Sequence, residues 1–305
     1  MSELCRLRGV LSPVLTPFKE DLSPDPARYI EHCRWLLDSG VSLAVFGTNS
    51  EANSLSLSER QWLLDVLLEA GIPPSSLLPG TGCCSFPETV ELSRKAVAAG
   101  CAGVLVLPPF YYKNVSDEGL FNSYSEIVQR VGDERLRIYL YNIPPVAQVP
   151  ISLALIERLL RAYPVIIAGI KDSSGDWNNT EALLRNFQSA TFDVFCGSEV
   201  FLLRTLRGGG AGCITATGNV NPAAIVELYK TWREAGADGK QAALTKTRGC
   251  FETLPMIASM KSCIAWKRKA PEWATVRPPL VRVSADKAEG LQKLLVAADF
   301  EMPGI

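Results

Sequence analysis

Histidine is almost absent from this chain of 305 residues, since His32 is the only one. One imidazole argues against Ser-His-Asp triads, HExxH zinc proteases and metal sites built from several histidines. His32 lies in the helix-like stretch DPARYIEHCRWLLDSG. We therefore predict a structural or surface role for it, and no requirement for a metal ion or a cofactor.

Other familiar signatures are also missing. Neither GxxxxGK[ST] nor GxGxxG occurs, and the glycine run at 208–212 matches neither phosphate-binding spacing. No apolar run reaches the roughly 20 residues of a membrane helix, and MSELCRLRGVLSPVLTPF lacks the apolar region of a signal peptide. The net charge of -1 favours neither nucleic acid nor an anionic membrane as partner. These absences predict a cytoplasmic protein that acts on small molecules.

The cysteines show no metal-binding or disulfide pattern. There are nine, an odd number, and no CxxC occurs. Several lie in apolar runs, such as Cys196 in FDVFCG. We predict free thiols, mostly buried, in a reducing compartment. The positions are Cys5, Cys33, Cys83, Cys84, Cys101, Cys196, Cys213, Cys250 and Cys263.

Short apolar runs alternate with amphipathic helical stretches along most of the chain. Eight such pairs in order predict an α/β fold of the (β/α)8 TIM-barrel class. We place the catalytic barrel at residues 1–235 and a C-terminal helical extension, packed on it, at 236–305. The extension contains helical stretches at Gly239–Lys267 and Ala285–Ala298. The eight predicted strands are Val10–Phe18, Leu43–Gly47, Leu77–Gly82, Gly103–Pro108, Leu136–Asn142, Val165–Lys171, Phe192–Gly197 and Gly212–Thr217.

Lys171 follows the apolar strand VIIAGI, and the active site of such barrels lies at the carboxyl ends of the strands. Burial there favours the neutral amine, which can attack a ketone to form an imine. The structural alternative is a lysine that pairs with Asp172 or Glu199 at the rim. The residues around Lys171 alone leave the two interpretations equally open.

Tyr141 ends the preceding predicted strand, so its hydroxyl can approach Lys171 and relay protons. Alternatively it is a core aromatic residue with a hydrated hydroxyl. Thr48 and Asn49 follow a glycine at the end of the second strand. Backbone amides in such a turn suit a substrate carboxylate, although a simple tight loop would have the same sequence.

Together these segments resemble the dihydrodipicolinate synthase / N-acetylneuraminate lyase family of class I aldolases. The resemblance covers about residues 8–235. YNIP followed 27 residues later by the IKDS lysine is its most specific combination. The segments that carry it are TPF (16–18), GTNSE (47–51), GTG (80–82), PPFYY (108–112), YNIP (141–144), GIKDSSGD (169–176), CGSE (196–199) and GCITATGN (212–219).

The resemblance implies that Lys171 forms the Schiff base, that Tyr141 relays protons, and that Thr48 and Asn49 hold the carboxylate of pyruvate. It implies that Tyr112, or less favourably Tyr111, reaches the site of a neighbouring subunit in a homotetramer built as a dimer of dimers. There it would join a catalytic chain of hydrogen bonds with Thr48 and Tyr141. It also implies a set of substrate-pocket residues, namely Ser173, Gly197, Ser198, Glu199 and Ile214.

Two departures concern the substrate. The family's turn is usually GTTGE or GSTGE, whereas here it is GTNSE. In dihydrodipicolinate synthases an arginine that contacts the aldehyde partner's carboxylate follows the YNxP tyrosine by five positions, and here that position is Val146. We therefore expect a pyruvate-dependent aldolase, a lyase of 2-oxo acid or sugar-acid catabolism, whose second substrate is an aldehyde less anionic than aspartate semialdehyde.

Three alternatives stay open at this point. The first is a dehydratase of 3-deoxy-2-oxo sugar acids that uses the same imine. The second is dihydrodipicolinate synthase itself. The third belongs to another class of protein, a non-catalytic barrel that serves as a binding module.

Overall fold

A computed structural model describes residues 6–305, so the prediction for Cys5 lies outside the described residues. Seven short strands, numbered β1 to β7, occur within this range. Their bounds are Gly9–Ser12, Ser42–Leu43, Val104–Val106, Ile138–Asn142, Ile167–Asp172, Asp193–Cys196 and Gly212–Ile214.

Twelve α-helices, numbered α1 to α12, occur in the same described range, and at least one follows each strand along the chain. Their bounds are Pro26–Asp38, Leu57–Glu69, Phe86–Ala98, Asp117–Val131, Pro144–Ala147, Leu153–Ala162, Trp177–Phe187, Leu202–Arg207, Pro222–Thr231, Ala237–Glu252, Met256–Arg268 and Ala285–Ala297.

The described residues form two compact units. The first unit comprises residues 6–8 and 73–214, and its strands run parallel in the order β7-β6-β5-β4-β3. The second comprises residues 9–72 and 215–305 and contains the parallel pair β1 and β2. Parallel strands that alternate with helices belong to the predicted fold class. The predicted division at residues 235 and 236 stays a prediction.

The core of the first unit lies between its sheet and its helices. Side chains such as Ile138 and Leu140 of β4 and Ile170 of β5 pack with Ile127 of α4 and Leu159 of α6, and all are at most 3% exposed. Each fully buried aliphatic side chain contributes roughly 1.5–3 kcal/mol relative to an exposed one. This packing fixes the strand ends that carry the predicted catalytic residues.

The third predicted strand, Leu77–Gly82, is the one that does not form a regular strand. Its backbone bonds resemble a parallel ladder, because Leu105 N donates to Pro79 O (2.8 Å) and Thr81 N donates to Leu105 O (3.0 Å). Only Gly80 forms a bridge, with Leu105. Pro79 has no N–H to donate, which interrupts the ladder at its centre. The run is therefore extended and paired, but too irregular to count as a strand.

Helix ends follow the sequence signals closely. The Asp25 side chain accepts from Arg28 N and caps α1, with Pro26 in the first turn. Gly40 and Gly100, which lie just beyond the ends of α1 and α3, have φ of 81° and 79°. This left-handed conformation costs glycine little, so glycine is the residue expected at these two helix ends.

The stretch predicted at Gly239–Lys267 is helical but not continuous. The structure divides it into α10 and α11, with Thr253–Pro255 between them. Pro255 lacks an N–H and clashes with the preceding turn of a continuous helix, so it precedes the first turn of α11 instead. The helix predicted at Ala285–Ala298 is present as α12.

Candidate active site

Lys171 and Tyr141 lie side by side at the carboxyl ends of β5 and β4. The parallel register pairs the two residues directly. Because side chains alternate along a strand, paired residues project from the same face of the sheet. Lys171 Nζ lies 4.1 Å from the centroid of the Tyr141 ring, and both residues are 2% exposed. The predicted imine-forming amine and proton relay are therefore in contact.

The alternative prediction is that Lys171 pairs with an acidic side chain at the rim, and Asp172 is one of the two residues named for that role. Asp172 directs its carboxylate elsewhere, to Asn142 Nδ2 (2.9 Å) and Thr180 Oγ1 (2.6 Å). Successive residues of a strand point to opposite faces, so the Asp172 side chain lies on the face away from Lys171. Sequence reasoning named Asp172 only as a possible partner of Lys171, and it gave Asn142 and Thr180 no role.

The predicted pocket residues of this unit lie at the ends of β5, β6 and β7. Gly197 N donates to Asp172 O (2.6 Å), and a Cβ added at Gly197 would lie 2.0 Å from Ser173 Oγ. Only glycine therefore fits beside Ser173. Ser198 Oγ accepts from Val200 N (3.3 Å) at the start of a short 3-10 helix. Glu199 is 1% exposed, and Ile214 at the end of β7 is fully buried.

The GTNSE turn belongs to the second unit and is closed by its own serine. Thr48–Ser50 form one turn of 3-10 helix, and Gly47 N donates to Ser50 Oγ (3.1 Å). Thr16 Oγ1 donates to Ser50 O (2.7 Å), and Ser50 is fully buried. The serine at the family's usual glycine position thus stabilises the turn. Thr48 and Asn49 are half-buried.

A buried ion pair supports this turn. Glu51, which has φ of 56°, pairs with Lys261 of α11, and both side chains are fully buried. Arg277 N donates to the second Glu51 oxygen (2.9 Å), and Lys261 Nζ also donates to Thr275 O (2.9 Å). Burial lowers the pKa of Lys261 to about 8, and the Glu51 carboxylate opposes that shift. Sequence reasoning missed this pair, although a lysine inside the apolar helix MIASMKSCIAW was a usable signal.

Tyr111 and Tyr112 lie in the loop after β3 with their rings exposed. The exposed fractions are 75% and 72%, and the rings contact each other edge to face with centroids 5.3 Å apart. Aromatic side chains such as tyrosine are enriched in protein–protein interfaces. Whether Tyr112 enters a neighbouring site stays a prediction.

Val146 lies in the short helix α5 that follows β4, and it is 61% exposed. The basic group next to this turn is Lys113, whose Nζ donates to the backbone oxygens of Ala147 (2.9 Å) and Phe110. That ammonium group therefore binds two carbonyls. The segment presents an apolar side chain where a dihydrodipicolinate synthase is expected to carry a guanidinium group.

His32 is fully buried and structural. Its Nε2 lies 3.2 Å from Asn219 Oδ1, and its ring packs against Trp35 and Trp273. Burial lowers the pKa of His32 to about 3. The imidazole is thus neutral near pH 7 and packs in the core, in agreement with the structural role predicted for it.

The described residues contain no cluster of three or more His, Cys, Asp or Glu that could hold a metal ion. Within residues 6–305 no disulfide joins the cysteines, of which Cys33, Cys196, Cys213 and Cys263 are buried and Cys84 is exposed. None of the helices in this range is both long and apolar enough to cross a membrane.

Comparison with known proteins decides the family. Residues 6–298 match the model of the dihydrodipicolinate synthetase family. The chain belongs to this family. Its members include synthases and aldolases, which are lyases, so the protein is an enzyme of that class.

One relative within the family is the probable 2-dehydro-3-deoxy-D-pentonate aldolase YjhH of Escherichia coli K12. The two sequences are 28% identical, and the match covers 96% of this chain and 97% of YjhH. The likeness supports a pyruvate-type aldolase of the dihydrodipicolinate synthetase family.

Two solved structures of family members confirm the (β/α)8 fold class. Dihydrodipicolinate synthase from Agrobacterium tumefaciens superposes with a TM-score of 0.89 at 32% identity, over 96% of this chain and 99% of that one. YagE from Escherichia coli K12, solved in complex with pyruvate, superposes with a TM-score of 0.88 at 28% identity, over 97% and 100% of the two chains.

Proposed function

We propose that this lyase is a class I aldolase in which Lys171 forms a Schiff base with the keto carbon of a pyruvate-type substrate. The observation that carries the proposal is the contact of Lys171 Nζ with the Tyr141 ring at two adjacent strand ends. The amine adds to the ketone to give a carbinolamine. The Tyr141 hydroxyl donates a proton to the departing hydroxyl group, so that water leaves and the iminium ion and the Tyr141 phenolate form. The iminium carbon then accepts electrons from the bond that breaks next to it, so the mechanism requires neither a metal ion nor a cofactor.

Tyr141 is the proton relay in this proposal. In the cleavage direction the phenolate takes the proton of the aldol hydroxyl, the carbon–carbon bond breaks, and an aldehyde leaves. The electron pair of that bond passes into the iminium group and gives an enamine. The Tyr141 hydroxyl then protonates the enamine at its carbon and restores the iminium ion. Water adds to that ion and releases pyruvate and the Lys171 amine, and the proton set free returns to the Tyr141 phenolate.

The substrate carboxylate is assigned to the amides and side chains of Thr48 and Asn49. The closure of this turn by Ser50 supports the assignment, because a fixed 3-10 turn directs consecutive N–H groups to one side. Ser173, Gly197, Ser198, Glu199 and Ile214 are proposed to line the rest of the pocket. We further propose that Tyr112 completes the site of a neighbouring subunit in a homotetramer, and that the enzyme acts in the cytoplasm.

The aldehyde partner is proposed to be neutral or hydroxylated, as in a 2-oxo-3-deoxy sugar acid. Val146 supplies no positive charge, and the Lys113 ammonium already binds two carbonyl oxygens. The pentonate aldolase name of the relative YjhH agrees with such a substrate. A dehydratase that uses the same imine, and dihydrodipicolinate synthase itself, are the competing activities within the family.

Borohydride trapping tests the proposal. The protein is mixed with pyruvate, reduced, and analysed by intact mass and peptide mapping, with Lys171→Ala as the matched control. A single reduced pyruvyl adduct on Lys171, absent from the variant, supports Schiff-base chemistry. A folded wild-type protein that forms no adduct refutes it. Neutral aldehydes, aspartate semialdehyde and 3-deoxy-2-oxo sugar acids then distinguish aldolase, synthase and dehydratase activities.

A further inference from the structure

Asn142 and Asp172 each follow one of the paired residues of the proposed site. Tyr141 pairs with Lys171 in the register of β4 and β5, and Asn142 pairs with Asp172. Because successive side chains of a strand alternate between faces, the second pair lies directly behind the first on the opposite face. Asn142 Nδ2 donates to Asp172 Oδ1 (2.9 Å), and both residues are at most 3% exposed.

The Asp172 carboxylate is surrounded by hydrogen-bond donors, all of which are neutral. Thr180 Oγ1 of α7 donates to Oδ2 (2.6 Å), and Ser174 donates through its hydroxyl to Oδ2 (3.0 Å) and through its amide to Oδ1 (3.1 Å). On the other side, Asn142 Oδ1 accepts from Ile151 N (3.1 Å). A buried carboxylate with this many short bonds has one permitted orientation, since the loss of any bond costs about 1–3 kcal/mol.

The network begins where the backbone ladder ends. Ser173 N donates to Asn142 O (2.7 Å), and Gly197 N donates to Asp172 O (2.6 Å). Beyond these bonds, β4 continues into α5, while β5 continues into a turn and α7. The side chains of Asn142, Asp172 and Thr180 therefore join the two strand ends at the last position where their backbones are paired.

We propose that Asp172 is a positioning residue, which together with Asn142 and Thr180 fixes the Lys171 amine against the Tyr141 ring for proton transfer. The inference rests on the proposed function, because it gives these residues a role in the same chemistry. None of the three touches the substrate in this proposal. They act through the strand ends that carry Lys171 and Tyr141.

Asp172→Asn is the informative change. It replaces one acceptor oxygen by an NH2 group, which cannot accept. At the Oδ1 position this group faces the Asn142 NH2 group and the bond between the strand ends is lost, whereas at the Oδ2 position the Thr180 and Ser174 hydroxyls must turn from donors into acceptors. Either change disturbs the strand ends, and a displacement of about 1 Å at reacting groups costs on the order of a hundredfold in rate. In the swapped double variant Asn142→Asp/Asp172→Asn, a carboxylate again faces an amide, which restores the bond between the strands.

The experiment measures exchange of the pyruvate methyl protons for deuterium by the full-length protein in D2O. This exchange needs only the imine, its enamine and the proton relay, so no aldehyde has to be known. The rate at saturating pyruvate and the half-saturating pyruvate concentration are measured for the wild type, Asp172→Asn, Thr180→Val and the swapped variant. Thr205→Val is the matched control, since its Oγ1 is buried and has no partner among the described residues.

We expect Asp172→Asn to lower the saturating exchange rate by about 10- to 100-fold and Thr180→Val by about 3- to 10-fold. The half-saturating concentration should stay within about twofold in both variants. The swapped variant should recover most of the rate, and Thr205→Val should match the wild type. Circular dichroism and the borohydride adduct on Lys171 establish that each variant is folded and can form the imine.

The failure of the positioning role can be distinguished from the failure of the Schiff-base proposal. Unchanged exchange in Thr180→Val and Asp172→Asn overturns the positioning role and leaves the Schiff-base proposal intact. An equal loss in the swapped variant and in Asp172→Asn, with no recovery, also overturns it. A wild-type protein that forms no adduct on Lys171 and exchanges no methyl protons overturns both the proposed function and this inference.

Discussion

Lys261 pairs with Glu51 in an environment from which solvent is excluded, since both side chains are fully buried. The two residues are 210 positions apart, so the pair joins helix α11 to the turn that follows the second predicted strand. The attraction between the two charges offsets the free-energy cost of removing both from water. The loss of either partner leaves the other charge buried without compensation. Because Glu51 directly follows Thr48–Ser50, the pair anchors the end of that turn to α11.

Lys261→Met is therefore expected to destabilise the protein by about 3–5 kcal/mol, because it leaves the Glu51 carboxylate buried with Arg277 N as its remaining short donor. The double variant Glu51→Gln/Lys261→Met should recover a large part of that loss, since no isolated charge is buried. Urea denaturation measures the free energy of unfolding of both variants.

Lys293→Met is the control: its side chain is 75% exposed and its ion pair with Glu289 contributes at most about 1 kcal/mol. Equal losses in the single and double variants would contradict a compensated pair.

His32 gives a prediction of pH dependence. Its pKa is lowered from 6.5 to about 3 by burial, so the folded protein keeps it neutral where the unfolded chain takes up a proton. This contribution to stability is present above pH 6.5 and is lost as the pH falls from there through about 3. Because His32 is the only histidine, its imidazole C–H signals can be attributed to it directly in the NMR spectrum. The shift should stay constant from about pH 8 to about pH 5.

The control for His32 is the same protein in denaturing urea, where the imidazole should titrate near its ordinary value of about 6.5. A titration with that midpoint in the folded protein would show that the ring reaches water, against its burial between Trp35 and Trp273.

Glu59 predicts a second pH dependence, at lower pH. It accepts two bonds from the Arg277 guanidinium, and these bonds lower its pKa from 4.5 to about 2. Its contribution is present above pH 4.5 and is lost as the pH falls through 2. Glu59→Gln keeps an acceptor for Ser56 N in the capping box and removes the charge. After discounting for solvent screening, we expect a loss of about 1 kcal/mol near pH 7 that shrinks as the pH falls toward 2.

Much of the fold could be predicted because its signals are local. Helices α1 and α7 begin directly after aspartates, since the Asp25 and Asp176 side chains cap their first turns. The positions of Lys171 and Tyr141 at neighbouring strand ends follow from the same alternation of strands and helices. Local signals also explain the errors: a proline without an N–H interrupts the third strand at Pro79 and the tail helix at Pro255.

The parts of the site that could not be predicted depend on pairing between distant segments. Asn142 and Asp172 are 30 positions apart, and each is an unremarkable polar residue until the register of β4 and β5 sets them opposite each other. The same holds for Glu51 and Lys261. A motif identifies residues that do chemistry, whereas the residues that hold them appear only when register and burial are known.

Gly197→Ala tests the close approach of β6 to Ser173. A Cβ at this position would lie 2.0 Å from Ser173 Oγ and 2.8 Å from Asp172 O, so backbone has to move. We expect a loss of about 1–3 kcal/mol in stability and a fall in methyl exchange, because the Asp172 strand end shifts. Gly239→Ala is the matched control in helix α10, where a Cβ meets nothing within 4 Å. It should stabilise the protein by up to about 1 kcal/mol. Equal stability of the two variants in urea denaturation would contradict the steric argument.

Val146→Arg tests the assignment of the aldehyde partner. The residue is 61% exposed on α5, so a guanidinium group can be introduced there without displacing core side chains. A new charge-assisted bond to a carboxylate is worth about 1.5–3 kcal/mol, which corresponds to roughly a 10- to 100-fold gain in kcat/KM for aspartate semialdehyde over a neutral aldehyde. Val146→Gln, of similar length but uncharged, is the control and should leave the preference unchanged. Steady-state rates with both aldehydes measure the ratio. The contrary result is a wild-type enzyme that already prefers aspartate semialdehyde, together with a Val146→Arg variant whose preference is no greater. It would mean that another residue binds the carboxylate of aspartate semialdehyde, and it would favour the synthase activity.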